Sequence, residues 1–229
     1  YEIAAYLISD ALGFHKVPRI LAKRFNYQKF IELADKDEKL KAFLAPRKKE
    51  LEPKGSELQG ALLTFVSDLK WPKIDGFSLE STKGIKRWTS YLQATTKIPE
   101  DRKNLLEQVS NMIVFDFIIG NQDRWSGGNL LAQDKKGQIS LVLIDNSMSF
   151  GRTKKGHGIA KTQLLKLQTF SKDFIARIRS FTYSELESVL DKGRGEYSFL
   201  IDEEQKKALI SRCSFVLERI DQMKKKRFL

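Results

Sequence analysis

Three polar residues, Asp123, Asn129 and Asp145, have the types and the order that metal-assisted phosphate chemistry needs. Asp123 lies in a polar, glycine-containing loop, Asn129 lies just beyond it, and Asp145 follows the apolar run at 139–144. Carboxylate and amide oxygens are ligands that Mg²⁺ prefers, and a further carboxylate can orient an attacking hydroxyl. A single Asp or Asn is common in turns. Three in this order predict a site for phosphoryl transfer.

The segments on either side of this loop explain how the three residues are positioned. Apolar side chains before the loop recur on one face of a helix, at Leu105, Val109, Met112 and Phe117. After the loop, two strand-like apolar runs are separated by the glycine-containing turn AQDKKGQ. The pattern predicts a helix that leads into a polar loop and is followed by a β-hairpin.

The runs NQDRWSGGNLL and LIDNSMSF resemble the catalytic and metal loops of the atypical kinases. These include the phosphatidylinositol 3- and 4-kinase-like group, the HipA-type kinases, and the four-jointed and secretory-pathway kinases. Their pattern is N-x-D-R-H, then an Asn, then a strand ending in I-D-N-G or I-D-F-G. The resemblance implies that Asp123 is the catalytic residue, that Asn129 and Asp145 hold Mg²⁺ or Mn²⁺, and that ATP donates the phosphoryl group.

The chain departs from this pattern at three places. Trp125 stands where these kinases have His, Asn129 is six residues after Asp123 where five is usual, and Ser147 replaces Gly. Gly127 and its neighbour are expected to absorb the extra residue as a bulge. The departures keep open a second hypothesis, a pseudokinase that binds nucleotide without transferring phosphate.

The first twelve residues have the spacing of an amphipathic helix, and Gly13 is expected to end it. The resemblance implies that Glu2 is the helix acid that braces an ATP-binding lysine; the alternative is a solvent-facing glutamate. The phosphate-covering loop, that lysine and a targeting segment are expected upstream of Tyr1 or, for the nucleotide site, on a partner chain.

The apolar run at 58–66 predicts a buried strand. By the resemblance this strand ends in the hinge, so that the backbones of Phe65 and Val66 contact adenine while Leu131 and Ile144 complete the nucleotide site. An ordinary core strand is the alternative.

The run GRTKKGHG at 151–158 combines glycines with basic side chains. The resemblance makes it the equivalent of the activation segment, with Arg152, Lys154 and Lys155 as candidate contacts to the substrate or to phosphate. A plain flexible loop fits the same residues.

The expected fold class is α+β, a protein-kinase-like, two-lobed fold with a small, incomplete N-lobe and a mainly helical C-lobe. Residues 1–66 form the partial N-lobe, with a charged insert of short helices at 25–57, and residues 67–229 form the C-lobe. Ser171, Thr182 and Asp202 are the expected helix caps of the C-terminal third. Cys213 lies on the apolar stripe of the last helix and is expected in the core.

The amino-acid composition limits the possible binding partners and the cellular compartment. With 41 basic and 29 acidic residues the net charge is +12. This charge favours anionic partners, but a solubilising surface is the commoner cause of such a balance. A basic nucleic-acid-binding domain is a less favoured alternative. A single cysteine excludes an intramolecular disulfide. Because the resemblance implies disulfides for the secreted members of that group, the cytoplasm is favoured. Because no apolar run approaches about 20 residues, no integral membrane segment is expected. The acceptor is expected to be a hydroxyl on a protein, an inositol lipid or a small molecule, with a protein favoured.

Overall fold

The computed structural model describes residues 1–51, 53–135, 137–195 and 197–227. The helices are α1 (Glu2–Ala11), α2 (Tyr27–Asp35), α3 (Glu38–Leu44), α4 (Thr82–Tyr91), α5 (Glu100–Ile119), α6 (Gly158–Lys166), α7 (Lys172–Ser180), α8 (Tyr183–Gly193) and α9 (Glu203–Arg227), with a 3-10 helix at Ala45–Glu50. The strands are β1 (Ile20–Asn26), β2 (Glu57–Leu63), β3 (Lys73–Ile74), β4 (Phe77–Ser78), β5 (Leu130–Lys135) and β6 (Gln138–Leu143).

The strands of the described residues pair into three antiparallel two-stranded sheets. β1 pairs with β2 from Ile20 opposite Leu63 to Asn26 opposite Glu57. β5 pairs with β6 as the predicted hairpin, with Leu130 opposite Leu143. This last register places Asn129, just before β5, beside Ile144, just after β6.

Helix α5 is the centre of the core. Its C-terminal half, residues 112–119, is buried on all sides rather than on one stripe, and Leu106, Val109 and Phe117 are completely buried. A helix that is surrounded in this way cannot shift without disturbing most of its neighbours. Its C-terminal end, from which the loop with Asp123 leaves, is therefore a fixed point.

Helix α1 belongs to the same core. Ile8 and Leu12 are fully buried in the cluster that surrounds α5. Gly193 at the end of α8 packs so closely on Leu7 that a Cβ there would lie 2.4 Å from the leucine methyl groups. The predicted helix at 1–12 is present, and the lobe boundary at Val66 stays a prediction.

The prediction of a buried strand at 58–66 is wrong about the burial of the strand and about the residue at which it ends. β2 stops at Leu63, and Leu62, Leu63 and Phe65 are 53%, 51% and 88% exposed. Within the described residues β2 pairs with β1 alone, and the apolar side chains near its end have no layer over them. An apolar run shows only that a strand could be buried. Burial itself requires another part of the fold to pack over the strand.

Two of the three predicted helix caps are observed. Thr182 accepts from the backbone N–H of Glu185 at 3.2 Å, and Asp202 accepts from that of Gln205 at 2.9 Å. Ser171 precedes α7 but makes no capping bond, because its hydroxyl donates to Glu107 at 2.8 Å. A tertiary hydrogen bond, in which Ser171 is the donor, is thus observed in place of the local cap, in which it would be the acceptor.

The charged insert contains the expected short helices, α2 and α3, followed by the 3-10 helix. Ala34 is the one buried residue described in α2, and α3 has none among its described residues. Pro46 lies inside the 3-10 helix rather than ending the helical run. Among the described residues, no helix combines the length and apolar character that crossing a membrane requires.

Candidate active site

The turn after α5 gives the catalytic loop its shape. Gly120 ends the helix with a left-handed φ of 72°, and the chain turns into the loop there. The side chain of Asn121, which is buried, accepts from the backbone N–H of Asp123 at 2.8 Å. This local bond fixes the backbone on which the Asp123 carboxylate stands.

Asp123 and Asn129 are in direct contact. The amide Nδ2 of Asn129 donates to Oδ2 of Asp123 at 2.8 Å and to its carbonyl oxygen at 3.2 Å. Gly127 and Gly128 have φ angles of 93° and 110°, which side-chain-bearing residues rarely adopt. These two glycines therefore accommodate the extra loop residue while Asn129 still returns to Asp123.

Asp145 follows a residue whose backbone is hydrogen-bonded to that of Asn129. The backbone N–H of Ile144 donates to the carbonyl oxygen of Asn129 at 3.3 Å, so Asp145 begins one residue from that contact. Asp145 is exposed and has a positive φ of 49°, an uncommon conformation that Asp tolerates through local hydrogen bonds. Here the bond comes from the Ser147 hydroxyl, which donates to Oδ1 at 2.6 Å.

Arg124 connects the catalytic loop, which contains Asp123, to the metal loop, which contains Asp145. Its side chain is completely buried and pairs with Asp116 of α5, which is 1% exposed. Its Nη1 donates to the carbonyl oxygens of Asn129 at 2.6 Å and Ile144 at 2.7 Å, and its Nη2 donates to Asn146 Oδ1 at 2.7 Å. One guanidinium thus holds the backbone beside both predicted metal ligands, which agrees with the structural role that such a planar donor suits.

Glu2 contacts the metal loop instead of solvent. Its carboxylate accepts from the backbone N–H of Asn146 and, at 3.2 Å, from the Asn146 side-chain amide. The solvent-facing alternative is therefore wrong, and the bracing of a lysine stays a prediction. What the structure shows is a direct link between helix α1 and the residue after Asp145.

Trp125 packs against a second tryptophan. Its ring lies 5.8 Å from that of Trp88, at an interplanar angle of 36°, and Trp88 is completely buried. This is an ordinary distance for an aromatic pair. The side chain that replaces the usual His is thus a packing residue on the side of the loop that faces α4.

The predicted nucleotide contacts are brought together in part. Ile144 and Leu131 are half-buried and lie next to Asn129 through the β5–β6 pairing. The segment after Val66 runs beside β5, because Lys70 and Ala132 exchange backbone hydrogen bonds of 2.9 Å. Phe65 is largely exposed, so only its backbone and that of Val66 are candidates for adenine contacts.

The basic residues of the segment at 151–158 have different surroundings. Arg152 forms an ion pair with Asp202, the cap of α9, at 2.5 Å, and this pairing lowers the pKa of Asp202 below its usual value. Lys154 and Lys155 are exposed. Arg152 is therefore tied to α9, and the two lysines are the candidates for contacting an anion.

The donor atoms fit a hard divalent cation. Because Nδ2 of Asn129 faces Asp123, its amide oxygen points away from that carboxylate, and Asp145 supplies carboxylate oxygen from the adjoining loop. Such a pair of ligands is typical of a Mg²⁺ site that a substrate's phosphates complete. Within the described residues there is no group of three His, Cys, Asp or Glu side chains arranged for a metal.

Three residues of the site were missed by the sequence reasoning: Asp116, Asn121 and Asn146. Asp116 had a usable signal, since it is the one charged residue in the apolar run MIVFDFII of a helix. A buried charge requires a partner, and Arg124 is the basic residue of the next segment. Asn121 and Asn146 flank the predicted residues but gave no signal that separates them from turn residues.

Comparisons with known proteins give this geometry its context. No protein-family model matches the chain. The glycosaminoglycan xylosylkinase of Danio rerio is 30% identical over 173 residues, which cover 66% of this chain and 41% of that protein. The Golgi casein kinase with Mn/ADP bound has a TM-score of 0.65 over 99% of this chain and 61% of its own, at 16% identity.

At 30% identity, the xylosylkinase agrees with the predicted resemblance to the atypical kinases. The expected α+β kinase-like fold is confirmed by the structural match. A further relative, the pseudokinase FAM20A of Mus musculus, is 28% identical over 177 residues. The chain spans less than half the length of these sequence relatives, 41% and 32% of the two proteins.

Proposed function

We propose that this chain belongs to the atypical protein-kinase-like superfamily and transfers the γ-phosphoryl group of ATP to a hydroxyl with the help of Mg²⁺ or Mn²⁺. The observation that carries the proposal is the 2.8 Å contact between Asn129 and Asp123. Asp145 comes one residue after the end of the pairing of β5 and β6, where Ile144 is bonded to Asn129. The carboxylate for the acceptor thus contacts the first proposed metal ligand, and the second, Asp145, follows Ile144, whose backbone is bonded to that of Asn129. That is the constellation that phosphoryl transfer requires.

Asp123 is the residue that faces the acceptor. Its Oδ2 is oriented by the Asn129 amide, and its backbone is fixed by Asn121. A carboxylate held in this way orients a hydroxyl and accepts its proton as the bond to phosphorus forms.

Asn129 and Asp145 would hold the metal through their side-chain oxygens. The nucleotide and its metal, when bound, supply the transferable phosphoryl group and neutralise its charge. Ile144 and Leu131 would pack on the nucleotide, with the backbone of Phe65 and Val66 toward adenine. Lys154 and Lys155 would contact the acceptor or phosphate.

The acceptor class is taken from the relatives' names. One relative is named a xylosylkinase and the matched structure a casein kinase, so a sugar hydroxyl and a protein hydroxyl are the two acceptors to test first. An inositol lipid has no support of this kind. Nucleic acid remains a disfavoured partner.

The test uses the full-length protein with radiolabelled ATP, Mn²⁺, and either dephosphorylated casein or 4-nitrophenyl β-xyloside as the acceptor. Transfer to one of them should disappear with Asp123→Asn, whereas binding of a fluorescent ATP analogue should persist. Asp145→Asn should weaken that binding when Mn²⁺ is present. Transfer that survives Asp123→Asn would contradict the proposal.

A pseudokinase is the second candidate, and two observations favour it. FAM20A, a relative by sequence, is named a pseudokinase, and Trp125 occupies the place of the usual His as a packing residue. A pseudokinase would bind nucleotide but transfer phosphate to neither acceptor. Asp123→Asn would then have no effect in the same assay.

The compartment is a separate proposal. The predicted cytoplasmic location rested on the single cysteine, whereas the matched structure is named a Golgi kinase. The comparison thus favours the secretory pathway over the cytoplasm for the full protein. Fluorescence microscopy of the full-length protein, tagged at its C-terminus, distinguishes the two.

A further inference from the structure

Arg212, on helix α9, is a charged side chain buried in the protein interior. It is 1% exposed. Its Nε donates to the carbonyl oxygen of Ile118 at 2.7 Å, and its Nη1 donates to those of Gly151 at 2.8 Å and Thr153 at 3.0 Å. All three of these acceptors are backbone carbonyls, and they come from two segments that border the proposed active site.

The burial of this guanidinium has an energetic cost. Desolvation lowers the pKa of Arg212 to about 10, so the group is still charged at neutral pH. The carbonyl of Ile118 belongs to the last turn of α5, where the helix dipole favours a cation. Nη2 is buried without a hydrogen-bond partner among the described residues. The three backbone carbonyls are therefore the groups that stabilise the buried charge.

The segment that Arg212 holds is the one that leaves the metal loop. Phe150, fully buried with a left-handed φ of 64°, donates its backbone N–H to Ile119 at 2.6 Å. Further on, a Cβ at Gly156 would lie 2.2 Å from the ring of Phe117. The segment at 151–158 is thus pressed against the end of α5, from which Asp123 also emerges.

Its far end contacts the catalytic loop itself. A Cβ at Gly158 would lie 2.3 Å from the side-chain oxygen of Gln122, the residue before Asp123. Between these contacts the side chains of Lys154 and Lys155 are exposed. The backbone is fixed at both ends, and the two cationic side chains project from the middle.

We propose that Arg212 is a positioning residue that presets the segment at 151–158 as a platform for the acceptor. Lys154 and Lys155 would then contact the acceptor and not the ATP phosphates, so Arg212 would set the affinity for the acceptor but not for ATP. The inference rests on the proposed phosphotransfer, and it adds the part of the fold that decides acceptor binding. The nucleotide side depends instead on Arg124, which contacts the other two loops.

The test compares Arg212→Met and Arg212→Lys with a control on the same helix, Arg219→Met. Arg219 donates to the backbone carbonyls of Leu165 and Leu167 and so holds a different segment. Three quantities are measured in the full-length protein: hydrogen exchange of the peptides that cover 151–158, KM for ATP, and KM for casein or 4-nitrophenyl β-xyloside.

Arg212→Met should speed exchange in 151–158 and raise the acceptor KM about tenfold or more, with KM for ATP within about twofold. Arg212→Lys, which keeps the charge, should recover part of the acceptor affinity. Arg219→Met should leave both KM values and this exchange as in the unmodified protein.

Two results would overturn the inference. One is an unchanged acceptor KM and unchanged exchange in Arg212→Met. The other is a parallel loss for ATP and acceptor with faster exchange throughout the chain, which is the signature of general destabilisation. If the unmodified protein phosphorylates neither acceptor, the proposed function fails, and the acceptor role of Arg212 fails with it. Hydrogen exchange still shows separately whether Arg212 holds the segment.

Discussion

The guanidinium of Arg124 lies 3.2 Å from the carboxylate of Asp116, and both side chains are shielded from solvent. Burial raises the pKa of Asp116 above its usual value, and the charge of Arg124 opposes that shift. The pair connects the central helix to the catalytic loop, and the remaining donors of Arg124 reach the metal loop. The proposed active site is therefore built outward from the middle of the core.

Removing one partner of this pair should be costly. Asp116→Ala leaves the Arg124 charge buried and uncompensated, so the free energy of unfolding should fall by about 3–5 kcal/mol in a urea titration. The control is Asp101→Ala, which breaks the surface pair with Arg102. It should cost less than about 1 kcal/mol. Equal effects of the two changes would mean that burial of the pair does not matter.

The link between α1 and the metal loop should be visible in metal binding. Glu2→Ala removes the acceptor of the Asn146 backbone and side-chain amides, so the loop with Asp145 loses its support. We expect the apparent affinity for Mn²⁺, measured in the presence of ADP, to fall about tenfold, the equivalent of one charge-assisted hydrogen bond. Glu100→Ala, at the start of α5, is the control and should bind Mn²⁺ normally. Normal binding in both variants would remove Glu2 from the site.

Trp125 is predicted to matter for stability and not for the chemical step. Trp125→His loses the packing on Trp88 and should lower the free energy of unfolding by about 1–2 kcal/mol. The rate of transfer should stay within about threefold of the original. Trp71→His, at an exposed tryptophan, is the matched control for stability. A large gain in transfer on introducing His would show instead that Trp125 suppresses the activity.

Cys213 should report on unfolding of the whole core. It is 3% exposed, and burial raises the pKa of its thiol to about 12 from the ordinary 9.0. Its reaction with a disulfide reagent at pH 8 should therefore require unfolding, and its rate should rise with urea along the unfolding curve. Stoichiometric reaction within minutes, without urea, would place the thiol at the surface.

The same thiol makes stability depend on pH. The folded state keeps its proton between pH 9.0 and about 12, whereas the unfolded state releases it, so the free energy of unfolding falls as the pH rises through 9.0. Cys213→Ala should remove this part of the dependence. The measurement is a series of urea titrations at pH 8, 9 and 10 with both proteins. Parallel slopes for the two would contradict the assignment.

Much of the local structure could be predicted because it depends on neighbours in sequence. The helix at the start of the chain, the β5–β6 hairpin and the caps at Thr182 and Asp202 all follow from short-range spacing and hydrogen bonding. Ser171 shows where this reasoning stops. Its hydroxyl had a local acceptor role open to it but donates to Glu107, 64 positions earlier in the chain.

The sequence by itself determined which residues could do chemistry: an Asp, an Asn and a second Asp in kinase-like order, with glycines flexible enough to absorb one extra residue. It could not determine what holds them. The pairing of Arg124 with Asp116, the contact of Glu2 with Asn146 and the reach of Arg212 across to Thr153 were decided by the tertiary structure. The physical reason is that a buried charge takes whichever partner the packed chain brings within about 3 Å, and this partner has no fixed spacing in sequence.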